Sequence, residues 1–258
     1  MTTVARKEKA SPIPQRVSRE RQHQLLFEVT EEIRKSTREF TPQVVLDLDG
    51  TLLDNRPRTC AIMAQLANLW QKDHPTEAAL LNSLDYRELD YLLVDSLEKH
   101  GIHDEALLEQ ALEHWQQHFF KDDYLGHDIP LDGASEFAWK CYDAGATLVY
   151  FTGRDLRNMA LGSLASLRDC GFPIGVPGTE FVLKPEPSMS DSEFKRSVTP
   201  QMRRSGRVVA AFDNEPPNCN IFQDLFPATK IFLLDTQHLP GAPPLDSRVH
   251  VIGDFSMG

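Results

Sequence analysis

Two aspartates stand one residue apart in the run Val44-Val45-Leu46-Asp47-Leu48-Asp49-Gly50-Thr51-Leu52. The apolar residues before them read as a buried parallel strand. Side chains at i and i+2 of an extended chain share one side, so Asp47 and Asp49 emerge together. Gly50 ends the strand, and Thr51 adds a hydroxyl on the turn beyond it. Carboxylates this close repel unless a cation or a proton joins them. Such a pair at a strand's carboxyl end sits where open α/β sheets bind their ligands. The chemistry it suits is metal-assisted or acid–base work.

Two further strand ends carry polar signatures. Val149-Tyr150-Phe151-Thr152-Gly153-Arg154 runs from an apolar strand into a hydroxyl and a glycine before a helix. Hydroxyls and free backbone N–H groups at such a junction suit a phosphoryl oxygen. Val208 to Phe212 leads into Asp213-Asn214-Glu215-Pro216-Pro217-Asn218, placing another acid at a strand end. A lysine can add positive charge. Lys195 opens a helix in Asp191-Ser192-Glu193-Phe194-Lys195, and Lys184 ends a short strand in Leu183-Lys184-Pro185; Lys195 is the favoured of the two.

The elements that position these residues alternate. After an amphipathic helix from about Ser18 to Arg38 comes the first strand. The next seventy-five or so residues read as helices, with stripes at Ile62-Leu66-Leu69, Leu89-Leu93-Leu97 and Leu107-Leu108-Ala111-Trp115. From Pro130 onward, a helix to about Ala144 precedes strands at 146–151, 180–183, 207–212, 230–234 and 249–252. Helices at 156–170, 191–202 and 218–226 lie between them. Strand–helix alternation implies a parallel sheet with right-handed crossovers. The expected fold is therefore α/β: a three-layer Rossmann-like parallel-sheet core with an inserted all-helical domain. The segments are an N-terminal basic arm and amphipathic helix (1–40), the core (41–54 and 130–258) and the helical insertion (55–129). Arg56, Arg58, Arg87 and Tyr91 of the insertion are candidates to meet a ligand.

Composition narrows the function. The chain has 258 residues, 41% of them hydrophobic, and a formal charge of −11, which disfavours a nucleic-acid-binding body. The first forty residues differ, with nine basic residues against six glutamates. Residues 1–17 read as a disordered tail, and the helix after it is able to pack on the body or form a homodimer. Cys60, Cys141, Cys170 and Cys219 are widely spaced and fit a reducing compartment. No apolar run approaches the ~18 residues of a membrane span, and no apolar signal core is present. A cytoplasmic protein with no membrane partner is expected.

The order and content of these motifs resemble the haloacid dehalogenase (HAD) superfamily over residues 41–54 and 130–258. The point of insertion is where that superfamily places its type-1 helical cap. The resemblance implies that Asp47 is a nucleophile forming an aspartyl-phosphate. It implies that Asp49 is a general acid and base, that Lys195 or Lys184 neutralises the transferring group, and that Thr51, Thr152 and Gly153 hold substrate. Mg²⁺ is implied at Asp47, Asp49 (through its main-chain carbonyl) and Asp213. The superfamily usually has a second acid in the last motif; here Glu215 and Asn218 stand nearby instead.

The activity implied by the resemblance is that of a Mg²⁺-dependent phosphatase acting on a small phosphorylated metabolite beneath a lid. A phosphomutase would use the same aspartates. A phosphonate hydrolase would need a cap lysine, for which Lys72, Lys99 and Lys121 are available. A non-catalytic binding or regulatory module is the alternative from another class.

Overall fold

The computed structural model describes residues 13–36 and 39–257. The first strand, which ends in Val44-Val45-Leu46, is buried on both of its faces. That double burial is what an apolar run without polar alternation specifies. Among the described residues, six parallel strands form one sheet in the order β5-β4-β1-β6-β7-β8. The elements run α1 (Arg19–Ser36), β1 (Pro42–Leu46), β2 (Leu53–Asp54), α2 (Arg56–Trp70), α3 (Pro75–Asn82), α4 (Leu93–Lys99) and α5 (Glu105–Phe119). They continue through β3 (Ile129–Pro130), α6 (Ala134–Asp143), β4 (Thr147–Asp155), α7 (Leu156–Asp169), β5 (Thr179–Lys184), α8 (Asp191–Val198), β6 (Arg207–Asp213), α9 (Pro216–Leu225), β7 (Lys230–Leu234) and β8 (His250–Ile252).

Two apolar clusters sandwich the sheet. Val44, Leu46, Leu148, Tyr150, Phe232 and Leu234 point to one face, where α1 and α6 pack. Val45, Val149, Phe151, Ile231 and Leu233 point to the other, against Phe194 of α8 and Phe222 of α9. The period-2 alternation assigns each strand residue to one cluster. This is the expected three-layer architecture.

The helices α2–α5 close over a separate cluster that includes Ile62, Met63, Leu66, Leu97, Leu107 and Leu108. The chain enters and leaves this insertion through β2 and β3, which pair antiparallel, Leu53 with Pro130 and Asp54 with Ile129. Neither strand shows in the sequence pattern, because two residues are too few to establish a period.

Several boundaries differ from those expected. Helix α1 starts at Arg19 with Ser18 as its cap, whose Oγ accepts from the Arg21 N–H at 3.2 Å. Its residues Leu25, Leu26, Val29 and Ile33 are buried in the core of the same chain, so its apolar stripe is covered intramolecularly. Most of the expected disordered tail lies outside the described residues, but its end is tied down. The Val17 N–H donates to the Val251 carbonyl at 3.0 Å, and Arg16 Nε lies 2.6 Å from Asp235 Oδ2. The helix expected over 191–202 ends at Val198 and passes into a 3-10 turn, Thr199–Arg204, which carries Pro200 near its start. Proline removes the donor that an α-helix needs there.

Candidate active site

The site lies at the carboxyl ends of β1, β4 and β6, the central strands of the sheet. Asp47 follows β1 directly, and its N–H donates to the Phe212 carbonyl of β6 at 3.1 Å. Gly50 turns the chain with φ of +75°; a Cβ there would stand 2.5 Å from Asn214 Nδ2. Only glycine takes this conformation at that distance.

The carboxylates fall into two separate ion clusters. Asp47 and Asp213 converge on one buried lysine: Lys195 Nζ lies 2.7 Å from Asp47 Oδ1 and 2.5 Å from Asp213 Oδ2. Burial pushes the Asp47 carboxyl up to about 7; Lys195 acts downward, and Asp213 adds to the rise. Burial acts to lower the Lys195 pKa, but the two carboxylates outweigh it and raise it. Asp213 is held from behind, its Oδ1 accepting from the Glu215 N–H at 2.9 Å and from Asn218 Nδ2 at 3.1 Å. Glu215 and Asn218 thus support the last-motif acid. The Glu215 carboxylate itself accepts from the Leu239 N–H, and burial raises it to about 7.

Asp49 belongs to the second cluster. Its Oδ2 accepts from Arg154 Nε at 2.7 Å, and its Oδ1 from Arg154 Nη2 at 2.8 Å, Arg58 Nη2 at 2.6 Å and Asn55 Nδ2 at 3.2 Å. Both guanidiniums also reach the fully buried Asp128, each at 2.6 Å from Oδ2. Burial alone would raise the Asp49 pKa, but Arg154 and Arg58 win and lower it. Asp49 keeps 28% of its side chain exposed, on the cleft side.

Arg154 reaches this place because β4 overruns the expected turn. The apolar pattern ends the strand at Phe151; in the fold it extends to Asp155, with a break in register between Thr152 and Asp155. A bulge re-aims side chains at such points. Asp155 then caps α7, accepting from the Arg157 and Asn158 N–H groups. Gly153 is packed so closely that a Cβ would meet Asp191 Oδ2 at 2.1 Å.

A cavity of about 280 Å³ opens above these residues, with Asp47, Asp49, Thr152, Gly153, Lys195 and Asp213 on its floor. Thr51 differs from expectation. It is fully buried, and its hydroxyl donates to Asp47 Oδ2 at 3.1 Å, so it steadies the carboxylate instead of holding a ligand. Lys184 reaches the cavity but pairs with Asp191 at 3.0 Å, leaving Lys195 as the lysine on the aspartates. Arg56 and Tyr91 line the cavity, whereas Arg87 pairs with Asp85 outside it. Lys72, Lys99 and Lys121 are not among the lining residues, and Lys99 pairs with Asp90. Sequence reasoning gives no role to Asp128 and none to Arg154; the only signal is that acid's place just before the Ile129-Pro130 entry to the core.

Donors around Asp47 and Asp213 are hard oxygens, and a cation, the Lys195 ammonium, already lies between the two carboxylates. Among the described residues, no three His, Cys, Asp or Glu side chains are grouped to enclose an ion. Asp47 and Asp213 offer the hard oxygen donors that Mg²⁺ prefers. Among the described residues no helix is long and apolar enough to cross a membrane.

No protein-family profile matches the chain, and no curated protein matches it by sequence. Solved structures do match. A candidate phosphatase from Clostridium difficile superposes with a TM-score of 0.53 at 14% identity, covering 83% of this chain and 94% of that one. A HAD-superfamily hydrolase of subfamily IA from Geobacter sulfurreducens matches with a TM-score of 0.47 at 12% identity, over 83% of this chain and 93% of that one. A candidate β-phosphoglucomutase from Thermotoga maritima matches at 0.44 and 15% identity, over 75% and 85%. At such identities the likeness is one of fold, and the first match carries it. With Asp47, Asp49, Thr152, Lys195 and Asp213 gathered at the ends of a parallel sheet, the chain shares its fold with the Clostridium difficile protein.

Proposed function

We propose that the protein is a phosphoric monoester hydrolase that acts on a small phosphorylated molecule. The observation that carries this reading is the single lysine shared by Asp47 and Asp213 at the floor of the cleft. In the proposed reaction an Asp47 oxygen attacks phosphorus, and the bond from phosphorus to the alcohol oxygen breaks. The alcohol leaves with a proton from Asp49. Water then attacks the aspartyl-phosphate, giving its proton to the Asp49 carboxylate and releasing phosphate.

Each residue's role derives from its contacts. Thr51 donates to Asp47 Oδ2 and Lys195 to Oδ1, which together fix the carboxylate's orientation. Lys195 holds positive charge beside the carboxylate and the arriving phosphoryl oxygens, an electrostatic contribution aimed at the transition state. Thr152 and Gly153, on the cleft floor, are the seat for those oxygens. Arg58 and Arg154 keep Asp49 ionised, the form needed to accept a proton from water. For donation in the first half, Asp49 first takes a proton from solvent through the cleft, which displaces an arginine contact.

Mg²⁺ would be held by Asp47, Asp213 and the Asp49 main-chain carbonyl. When bound, it supplies positive charge that keeps Asp47 ionised and offsets the phosphoryl charge. The helices α2–α5 serve as a lid that shields the site from water.

Hydrolysis of para-nitrophenyl phosphate with and without Mg²⁺, beside Asp47→Asn, tests the reading. The intact protein should release nitrophenolate only with the metal, and the variant should not. An inactive intact protein, or an active Asp47→Asn, ends the proposal.

A further inference from the structure

The upper wall of the cleft comes from the helical insertion, and its character differs from that of the floor. Trp115, Phe119 and Phe120, at the end of α5 and just beyond it, form one aromatic group facing the cavity. Trp115 stacks on Phe119 with ring centroids 4.3 Å apart, and Phe120 meets both edge-on at 5.7 and 5.0 Å. The Trp115 indole N–H donates to Thr59 Oγ1 at 3.1 Å, so its one polar atom is already engaged. The Arg58 guanidinium lies over the Phe119 ring at 4.4 Å and fixes that ring in place. Leu89 and Leu93 extend the apolar wall. Phe120 remains 48% exposed and lines the cavity.

Several polar groups of the same wall are already engaged. Arg56 is joined to Asp54 through Nε at 2.8 Å and Nη2 at 2.7 Å. Ser96 donates to the Leu92 carbonyl and accepts from the Asp90 N–H. Asn55 donates to Asp49. Among the described residues, the cations that line the cavity (Arg56, Arg154, Lys184 and Lys195) are each paired with a carboxylate. The Lys195 pair lies on the floor where a phosphoryl group would sit, and the Lys184–Asp191 pair stands against Gly153. A second phosphate would have to draw Arg56 or Lys184 away from Asp54 or Asp191. A polyhydroxylated sugar seated against Trp115, Phe119 and Phe120 would leave the hydroxyls on that side facing rings, and unpaired polar groups are costly to bury. The cavity, about 280 Å³, is at the lower edge of the ~300–1,000 Å³ typical of small-molecule pockets.

We propose that the alcohol part of the substrate is uncharged and presents an aromatic or similarly flat apolar face, which seats against Trp115, Phe119 and Phe120. The substrate carries a single phosphate. This rests on the phosphatase reading and adds to it the class of ester that the cleft accepts.

The test compares 2-phenylethyl phosphate with ethyl phosphate and glucose 6-phosphate. All three leave as alkyl alcohols, so a difference reports the wall and not the leaving group. Binding is measured by calorimetry on Asp47→Asn with Mg²⁺ present, and hydrolysis on the intact protein. 2-Phenylethyl phosphate should bind about tenfold to a hundredfold more tightly than ethyl phosphate, the range expected for filling an apolar pocket. Glucose 6-phosphate should gain nothing over ethyl phosphate. Phe120→Ala, at a half-exposed position where folding is not at stake, should shrink the phenylethyl advantage about fivefold. Equal binding of the phenylethyl and ethyl esters, tighter binding of the sugar phosphate, or an advantage untouched by Phe120→Ala overturns the aromatic-face proposal. Preferential binding with no hydrolysis of any ester overturns the phosphatase reading and leaves the seat standing.

Discussion

Arg58 Nη2 lies 2.6 Å from Asp49 Oδ1, so a residue of the helical insertion grips a carboxylate of the sheet core. Asp128 lies behind this contact and takes both Arg58 and Arg154. The result is two guanidiniums against two carboxylates, nearly closed to solvent and balanced in charge. Buried ions tolerate such a place only when each is paired.

Asp128→Asn breaks that balance while keeping the shape. Two buried arginines would then share Asp49 alone. The variant should lose about 3–5 kcal/mol of stability, the usual cost of leaving a buried charge uncompensated. Urea denaturation measures it. A midpoint within error of the parent would show that water already reaches the cluster.

Lys195 and Lys184 separate cleanly by experiment. Lys195→Met removes the ammonium between Asp47 and Asp213 and should lower kcat by about 10²–10³, the scale of losing one transition-state charge contact. Lys184→Ala, which loses a pair with the exposed Asp191, should stay within about threefold. Steady-state rates on one aryl phosphate suffice, and a larger effect at Lys184 would reverse the assignment of the motif lysine.

Gly133 begins α6 with φ of +74°, and a Cβ there would stand 2.6 Å from the Phe255 carbonyl carbon and oxygen. The backbone conformation and the close approach both exclude a side chain. Gly133→Ala should destabilise by about 1–3 kcal/mol, read as a lower thermal midpoint. An unchanged midpoint would mean the C-terminal segment moves aside freely.

His250 starts β8, partly buried beside Phe232. Burial holds its pKa below the ordinary value, helped by Arg21 and Lys230 and opposed by Glu28. Between that lowered value and ~6.5 the unfolded chain binds a proton that the folded chain refuses, so stability rises with pH. The contribution is present above ~6.5 and is lost as pH falls through the lowered folded value. Thermal midpoints from pH 5 to 7.5 should fall less steeply on acidification in His250→Gln than in the parent. Parallel slopes would remove His250 from the account.

Much of the fold and of the site is legible in the residues. Apolar runs at 44–48, 146–151 and 207–212 mark the central strands, and polar residues after each mark the floor of the site. The choice of lysine rests on helix position, and Lys195 is the one that meets Asp47. Other features have no local signal. Thr152-Gly153 reads as a turn, yet β4 continues through it, because β5 keeps pairing as far as Lys184. Arg58 and Asp128 are seventy residues apart, and no periodicity joins two charged residues across a helical domain. Thr51 has the residue type of a ligand contact, but the tight turn at Gly50 directs it inward to Asp47. The antiparallel pair at β2 and β3 is too short to leave a pattern.

That short pair makes the insertion a side branch. Because Leu53 and Asp54 already lie beside Pro130 and Ile129, the sheet on either side keeps its path whatever hangs from the junction. Closing a long loop costs only slightly more than closing a short one, since the entropy grows with the logarithm of length. A tight hairpin could replace the entire branch without changing the strand order, and so could another set of helices. The acids and the lysine would remain, but Arg58 and the aromatic wall would go with the branch. The acids and the lysine are thus carried by one part of the chain and the aromatic wall by another, joined by two hydrogen-bonded strands of two residues each and by the Arg58–Asp49 contact.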